Sequence, residues 1–176
     1  MYFEWGYPII DYFKTLKKNE KKIEIFLPII ISLIVGAIYF HLDLANIALS
    51  HLRNILPSTI SILIGFSMTS LTIIVTSDNS SLKKLKEEYT DNRKIVSSVI
   101  TLYQWLIIMY IHAIVIEIFL LIFIFFSAFS LQIIKISFLA DILLFVQISL
   151  LLHIFLVLLR NVANMYFVFY SKEGGL

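Results

Sequence analysis

The fold is decided by the stretch ITLYQWLIIMYIHAIVIEIFLLIFIFF, which runs from Ile100 to Phe126 and in which Glu117 is the single charged residue. A helix of this length covers more than the ~30 Å of hydrocarbon in a bilayer. Lipid offers no hydrogen-bond partners, so the backbone N–H and C=O groups must be paired within the segment, as a helix pairs them. The stretch therefore predicts a transmembrane helix.

Three further apolar stretches have the same character: Ile23–Phe40, Ile55–Ser77 and Ile136–Leu159. The chain of 176 residues is 60% hydrophobic and 15% charged, with a mean hydropathy of +0.92, whereas soluble domains carry about a quarter charged residues. We expect an all-α integral membrane protein with four transmembrane helices, and no soluble catalytic domain beside them. The alternative for the first stretch is a signal peptide, but no small-x-small cleavage site follows Phe40, so we expect the helix to be retained.

The distribution of lysine and arginine predicts the orientation. Of the 14 such residues, twelve lie in the N-terminal segment, in the loop between the second and third stretches, or near the C-terminus. Arg53 and Lys135 occupy the other two connections. Because Lys and Arg are enriched in the cytoplasmic loops of membrane proteins, we expect both termini and the middle loop in the cytoplasm.

Segment 1–22 precedes the first stretch and is predicted to form an amphipathic interfacial helix. Its apolar residues share one helical face and its lysines share the other. The residues expected at the membrane surface are Trp5, Tyr7, Phe13, Lys14 and Lys18. The alternative is a helix that packs on the protein's own cytoplasmic loop. The membrane domain then covers 23–170, and 171–176 is expected to be a flexible tail.

The cytoplasmic loop 78–98 is the other sizeable polar element. It is predicted to form a short charged helix, after which Thr90 or Asp91 caps the helix that leads into the third span. It is either a solvated connector or a docking surface for a partner. The residues expected to dock the partner are Leu82, Lys83, Lys84, Leu85, Lys86, Tyr89, Arg93 and Lys94.

The second span carries small and hydroxyl-bearing residues within about one quarter of its circumference. These residues are Ser58, Ser61, Gly65, Thr69, Thr72 and Thr76, which we call the hydroxyl stripe. Such a stripe allows close helix packing within or between subunits. The other interpretation is the polar lining of a pore formed by several copies.

Polar side chains in the third and fourth spans are His112, Glu117, Gln147 and His153. If the two helices are antiparallel about a turn near Ser130–Leu139, His112 lies level with His153, and Glu117 lies level with Gln147 or Ser149. A carboxylate at such depth is costly unless it faces protein or water. The groups are expected either to fix helix packing by hydrogen bonds or to form a relay or sensor.

Motifs for chemistry are missing from the sequence. Cysteine is absent, and there is neither a glycine-rich phosphate loop nor a histidine pair at metal-ligand spacing. We expect no enzyme activity and no catalytic, cofactor or metal site. The basic loops are explained by orientation, so we expect no direct binding of nucleic acid.

The string LPSTISILIGFSMTSLTIIVTSDNSSLKKLKEE, from Leu56 to Glu88, resembles the small four-helix membrane subunits of the Kiwa anti-phage defence system, the KwaA-like proteins. The resemblance implies a homotetramer in the bacterial inner membrane that senses membrane disturbance caused by phage. It also implies a cytosolic DNA-binding effector, a KwaB-like protein, as partner. The function expected is thus a sensor or scaffold subunit that signals to an effector. The alternative is an ion- or proton-conducting channel or a holin-like permeabiliser.

Overall fold

The computed structural model describes residues 4–133 and 137–170, with side chains throughout these ranges except at 5, 132, 137 and 167–170. The Trp5 side chain and the tail 171–176 therefore lie outside the described residues. Four helices are long and apolar enough to cross a membrane. They are Lys18–His41, Ala45–Thr76, Leu102–Leu131 and Phe138–Tyr166. The predicted all-α class with four membrane-spanning helices is confirmed.

The N-terminal part begins with a 3₁₀ turn, Glu4–Gly6, and helix α1, Tyr7–Thr15. The first span combines α2, Lys18–Lys21, a π-helical turn, Lys22–Phe26, and α3, Leu27–His41. Pro28 follows the π turn, and its ring nitrogen has no hydrogen to donate to the carbonyl four residues earlier. The widened turn thus lies where the ordinary helical hydrogen bond cannot form.

Helix α4, Ala45–Thr76, begins ten residues before the predicted span, so most of the connection expected after the first span is helical. Asp43, at φ 52°, reverses the chain between α3 and α4. Pro57 lies inside the helix rather than starting it. Its preceding turns are held by packing, because Leu49 and Leu56 are buried.

Helix α5, Ser80–Glu87, confirms the short charged helix, and its cap is Asn79, whose Oδ1 accepts a hydrogen bond from the Ser81 backbone N–H at 3.2 Å. The expected restart at Thr90 or Asp91 is wrong. These residues lie in strand β1, Tyr89–Ile95, which pairs antiparallel with β2, Ser98–Thr101. The Thr90 hydroxyl donates across the hairpin to the Ile100 carbonyl at 2.8 Å. The β-branched residues from Ile95 to Thr101 suit a pleated hairpin, which outweighs the capping signal.

Helices α6, Leu102–Ile133, and α7, Ser137–Tyr170, complete the chain. The described residues fall into two compact units. The hairpin unit comprises Met1–Lys18, Phe66–Val115 and Val157–Leu176, and the turn unit comprises Asn19–Gly65 and Ile116–Leu156.

Each unit has its own apolar core. In the hairpin unit the core is formed by buried residues of α4, α5 and α6, namely Ile74, Leu82, Leu106 and Tyr110. In the turn unit it is formed by the start of α4 and by α7, namely Ala45, Leu49, Ala140, Leu143 and Leu144. The packed cores hold the loop helix and the early turns of α4 in place.

The hairpin turn supplies a test of local strain. Val96 has φ 59° and is 93% exposed at the tip, and a β-branched residue pays about 1–3 kcal/mol in this conformation. We expect Val96→Gly to slow amide exchange of the hairpin about fivefold, because glycine adopts positive φ without a Cβ clash. Ser98→Gly, in extended backbone, is the control and should speed exchange. Exchange slowed equally by both substitutions would contradict the strain.

Candidate functional site

The end of helix α1 is fastened to the hairpin. Arg93 of β1 is 9% exposed, and its guanidinium donates from Nη1 to the Thr15 carbonyl at 2.6 Å. The last carbonyls of a helix lack intrahelical partners, and a cation there also complements the helix dipole. Arg93 therefore caps α1 with a side chain that comes from 78 residues further along the chain.

The buried edge of α1 rests on helix α6. The Tyr12 ring stacks on the His112 imidazole, with centroids 3.5 Å apart and planes 6° from parallel, and both side chains are fully buried. The Phe13 ring meets His112 edge-on at 5.8 Å. Helix α1 thus packs on α6 through the His112 side chain.

Trp105 of α6 lies near two guanidinium groups. The Arg93 guanidinium carbon is 4.2 Å from the ring centroid and that of Arg160, from α7, is 5.6 Å away. Arg160 also lies 5.9 Å from the Tyr12 ring. Each cation–π contact contributes about 0.5–2 kcal/mol, more where water is excluded. We call Tyr12, Arg93, Trp105, His112 and Arg160 the aromatic clamp; it joins α1, β1, α6 and α7 within the hairpin unit.

The opposite edge of α1 is open. Tyr7 is 63% and Ile10 48% exposed on this edge, with exposed Lys14 beside them. Phe13 is 40% exposed and lies at the boundary with the buried edge. The predicted helix over 1–22 ends at Thr15, so Lys18 is exposed just beyond α1. The helix thus packs on the hairpin, which is the alternative left open by the sequence, and also keeps an uncovered amphipathic edge. A helix with two such edges can contact the protein and a membrane surface together.

The proposed docking residues divide into two groups. Leu82 and Leu85 pack in the core of the hairpin unit and Arg93 caps α1, so these three are corrected to structural residues. The reason is that a short helix and hairpin need their own apolar contacts before they can present a surface. The exposed members are Lys83, Lys84, Lys86, Tyr89 and Lys94.

Two of these lysines have partners on the protein. Lys83 Nζ lies 3.1 Å from Asp78 Oδ1, with both side chains largely exposed, and Lys86 Nζ lies 4.9 Å from the Tyr103 ring centroid. Exposed pairs of this kind contribute about 0–1 kcal/mol. The lysines therefore remain free to exchange these contacts for a partner's carboxylates.

The hydroxyl stripe of α4 faces away from the rest of the chain. All six of its residues are exposed. Ser61 donates to the Pro57 carbonyl at 2.7 Å, Thr72 to Met68 at 2.8 Å and Thr76 to Thr72 at 2.7 Å. Because these bonds satisfy the hydroxyls inside the helix, the stripe can lie against lipid or against another helix without orphaned donors.

In the turn unit, Gln147 Nε2 donates to Ser127 Oγ at 2.7 Å, and Ser127 donates in turn to the Ile124 carbonyl at 2.8 Å. Gln147, expected level with Glu117, instead contacts Ser127, ten residues further along α6. The reversal itself lies inside the predicted turn, since α6 ends at Ile133 and α7 begins at Ser137. Glu117 is fully buried in the same unit.

His153 binds the first span rather than a second histidine. Its Nδ1 lies 2.7 Å from the Glu24 carbonyl oxygen, and because a carbonyl only accepts, Nδ1 carries the hydrogen. Pro28 cannot donate to this carbonyl. His153 thus replaces the hydrogen bond that the proline removes, and His112 and His153 each have their own partner in separate units.

The clamp is a set of packing, hydrogen-bond and cation–π contacts. In the ranges 4–133 and 137–170, no group of three or more His, Asp or Glu side chains could hold a metal ion. What the arrangement can do is transmit displacement: a movement of α1 must break or carry with it contacts to β1, α6 and α7.

These features define a multi-pass membrane protein with a helix–hairpin module between its second and third spans. Comparison with known proteins adds no family to this class, since no protein-family model, curated protein or solved structure matches the chain.

The His153 contact predicts coupling between two positions. We expect His153→Phe to destabilise the detergent-solubilised protein by about 1–3 kcal/mol, because it removes the donor to a buried carbonyl. In a Pro28→Ala background the backbone N–H at position 28 can donate to the Glu24 carbonyl. His153→Phe should then lower the free energy of unfolding by less. The free energy of unfolding measured for the four proteins of this cycle gives the coupling energy. An equal cost in both backgrounds would show that His153 does not compensate for Pro28.

Proposed function

We propose that the protein is a non-enzymatic, oligomeric subunit of a bacterial inner membrane that senses membrane perturbation and signals to a cytosolic effector in anti-phage defence. The observation that carries the proposal is that one amphipathic helix, α1, has an open apolar edge and an opposite edge fastened by the aromatic clamp.

The sensing step uses the open edge of α1. Tyr7, Ile10 and Phe13 lie in the headgroup region of the inner leaflet, with Lys14 and Lys18 beside anionic lipid. Thinning or depolarising the membrane changes the free energy of these side chains in the headgroup region. The clamp contacts are worth a few kcal/mol together, which is the size of free-energy difference that a ligand or membrane change can overcome in a two-state switch.

The signalling step uses the surface next to the clamp. Arg93 caps α1 from within β1, while Lys94 follows it in the same strand with its side chain exposed. Lys84 and Lys86 are exposed on α5, which contacts β2. A release of α1 therefore breaks a contact next to this basic surface. The basic surface would then recruit a partner with an acidic face.

Three further features support the proposal. The stretch from Leu56 to Glu88 resembles Kiwa membrane subunits. The resemblance implies that the membrane subunit is a tetramer and that it acts with a KwaB-like DNA-binding partner. The exposed hydroxyl stripe supplies a close-packing face for self-association. By the positive-inside rule the hairpin and both termini are expected in the cytoplasm, where the effector would be found.

Trp105 reports directly on the clamp. In a Trp5→Phe background it is the remaining tryptophan, and its two guanidinium neighbours make its emission sensitive to clamp opening. We expect a red-shifted emission in vesicles perturbed with lysolipid, and a similar shift without lysolipid in Tyr12→Ala. Phe26→Ala, an exposed apolar residue of the turn unit, should behave as the parent. Emission that is insensitive to both lysolipid and Tyr12→Ala would rule out the clamp as the sensing element.

The docking surface is tested by paired charge reversals. Lys84→Glu with Lys86→Glu should reduce co-purification of the effector at least tenfold at physiological salt, since charge complementarity is lost. The matched control is Lys21→Glu with Lys22→Glu, which removes the same charge from the turn unit. Equal loss in both pairs would mean that net charge, and not this surface, holds the partner.

The second candidate function is a conducting protein, which the exposed hydroxyl stripe favours because several copies could line a pore with it. Proteoliposomes should then pass ions or protons, and Thr69→Val with Thr72→Val should alter that flux. Glu117→Gln tests whether the buried carboxylate takes part. Tight vesicles across pH and voltage would remove this candidate and leave the sensor.

A further inference from the structure

The turn unit contains a groove whose first wall is α3. The wall residues recur at positions i, i+3, i+4 and i+7, which share one helical face. They are Leu33, Gly36, Ala37 and Phe40. The span from Leu33 to Phe40 advances about 10 Å along the helix.

The second wall is α7, and its residues have the same spacing. They are Phe138, Asp141, Ile142 and Phe145. The cavity volume is about 390 Å³, within the range of sites that hold small ligands, which are mostly apolar with few polar groups. Asp141 is the single charged residue among the groove-lining residues that the structure describes.

The floor of the groove lies at Gly36. A Cβ placed there would meet Phe145 Cβ at 4.0 Å, an ordinary van der Waals contact. The missing side chain therefore leaves open space between Gly36 and Phe145. A larger residue at this position would fill the groove without a backbone clash.

Asp141 gives the groove its chemical preference. The carboxylate is half-buried, and no described side chain forms an ion pair or hydrogen bond with it. It lies in a helix that is apolar enough to cross a membrane, within the first turns of α7. A carboxylate at such a position calls for a cation with N–H donors.

We propose that this groove binds one molecule of an amine-bearing phospholipid, with its primary ammonium on Asp141 and an acyl chain along Leu33, Ile142 and Phe145. The charge of Asp141 selects a cationic headgroup. A primary ammonium supplies three N–H donors to the carboxylate, whereas a trimethylammonium headgroup supplies none. The apolar walls match the chain of a lipid that comes from the surrounding bilayer. This inference does not depend on the proposed sensor function.

The test uses the full chain in mild detergent and native mass spectrometry with phosphatidylethanolamine, phosphatidylcholine and phosphatidylglycerol of identical acyl chains. We expect one tightly retained phosphatidylethanolamine per chain, bound about tenfold more strongly than phosphatidylcholine. Asp141→Asn should bring the two within about twofold of each other. Asp43→Asn removes an exposed carboxylate outside the groove and should leave the preference unchanged.

A second variant separates lipid loss from misfolding. Gly36→Leu should abolish the retained lipid while keeping or raising thermal stability, because glycine is unfavourable inside a helix. Ala163→Leu, at an exposed small residue of α7 outside the groove and the hydroxyl stripe, is the control and should retain the lipid. Equal retention of all three lipids by the parent chain would overturn the proposal. So would dissociation of an oligomer in Gly36→Leu with no change in Asp141→Asn, since a second copy would then cover the groove.

Discussion

Pairing of backbone polar groups in a medium without water is the constraint on which the rest of the structure depends. It makes the apolar stretches helical although many of their residues favour strands. The same constraint explains why some side chains donate hydrogen bonds to helix carbonyls that lack a backbone donor. His153 supplies the donor that Pro28 withholds from Glu24, and Arg93 caps the end of α1. Hydroxyls along α4 donate to carbonyls of their own helix, so these donors are paired without a partner from another helix.

The elements that follow from composition and from hydrophobic periodicity were predictable from the sequence. The four spans, and the short helix capped by Asn79, follow from length, hydropathy and capping chemistry. The hairpin was missed because the β-branched run around Val99 merges with the apolar start of α6. Alternation between exposed and buried residues over such a short strand is too weak a signal beside a long membrane helix.

Individual residues of the candidate site were predictable from the sequence, but the contacts between them were not. His112, Arg93 and the amphipathic α1 could each be singled out, but their contacts join segments 78 to about 100 residues apart in the chain. Such pairing is set by tertiary packing, which periodicity does not encode. Leu82 and Leu85 did carry a usable signal, because apolar residues three apart on a charged helix indicate a buried face. The level of Gln147 depended on how α6 and α7 are staggered along each other, which is set by tertiary packing even though the turn between them lies where it was predicted.

We propose that one movable helix links membrane and cytoplasm: α1 stays on the hairpin in an intact membrane and leaves it when the membrane is disturbed. The absence of cysteine allows clean spin labelling at two exposed positions of the hairpin unit, Lys14 and Lys94. Pulsed electron paramagnetic resonance in nanodiscs measures the distance between the labels with and without lysolipid. We expect one narrow distance in intact nanodiscs and a longer, broader distribution after lysolipid is added. An unchanged narrow distance under both conditions would contradict the claim.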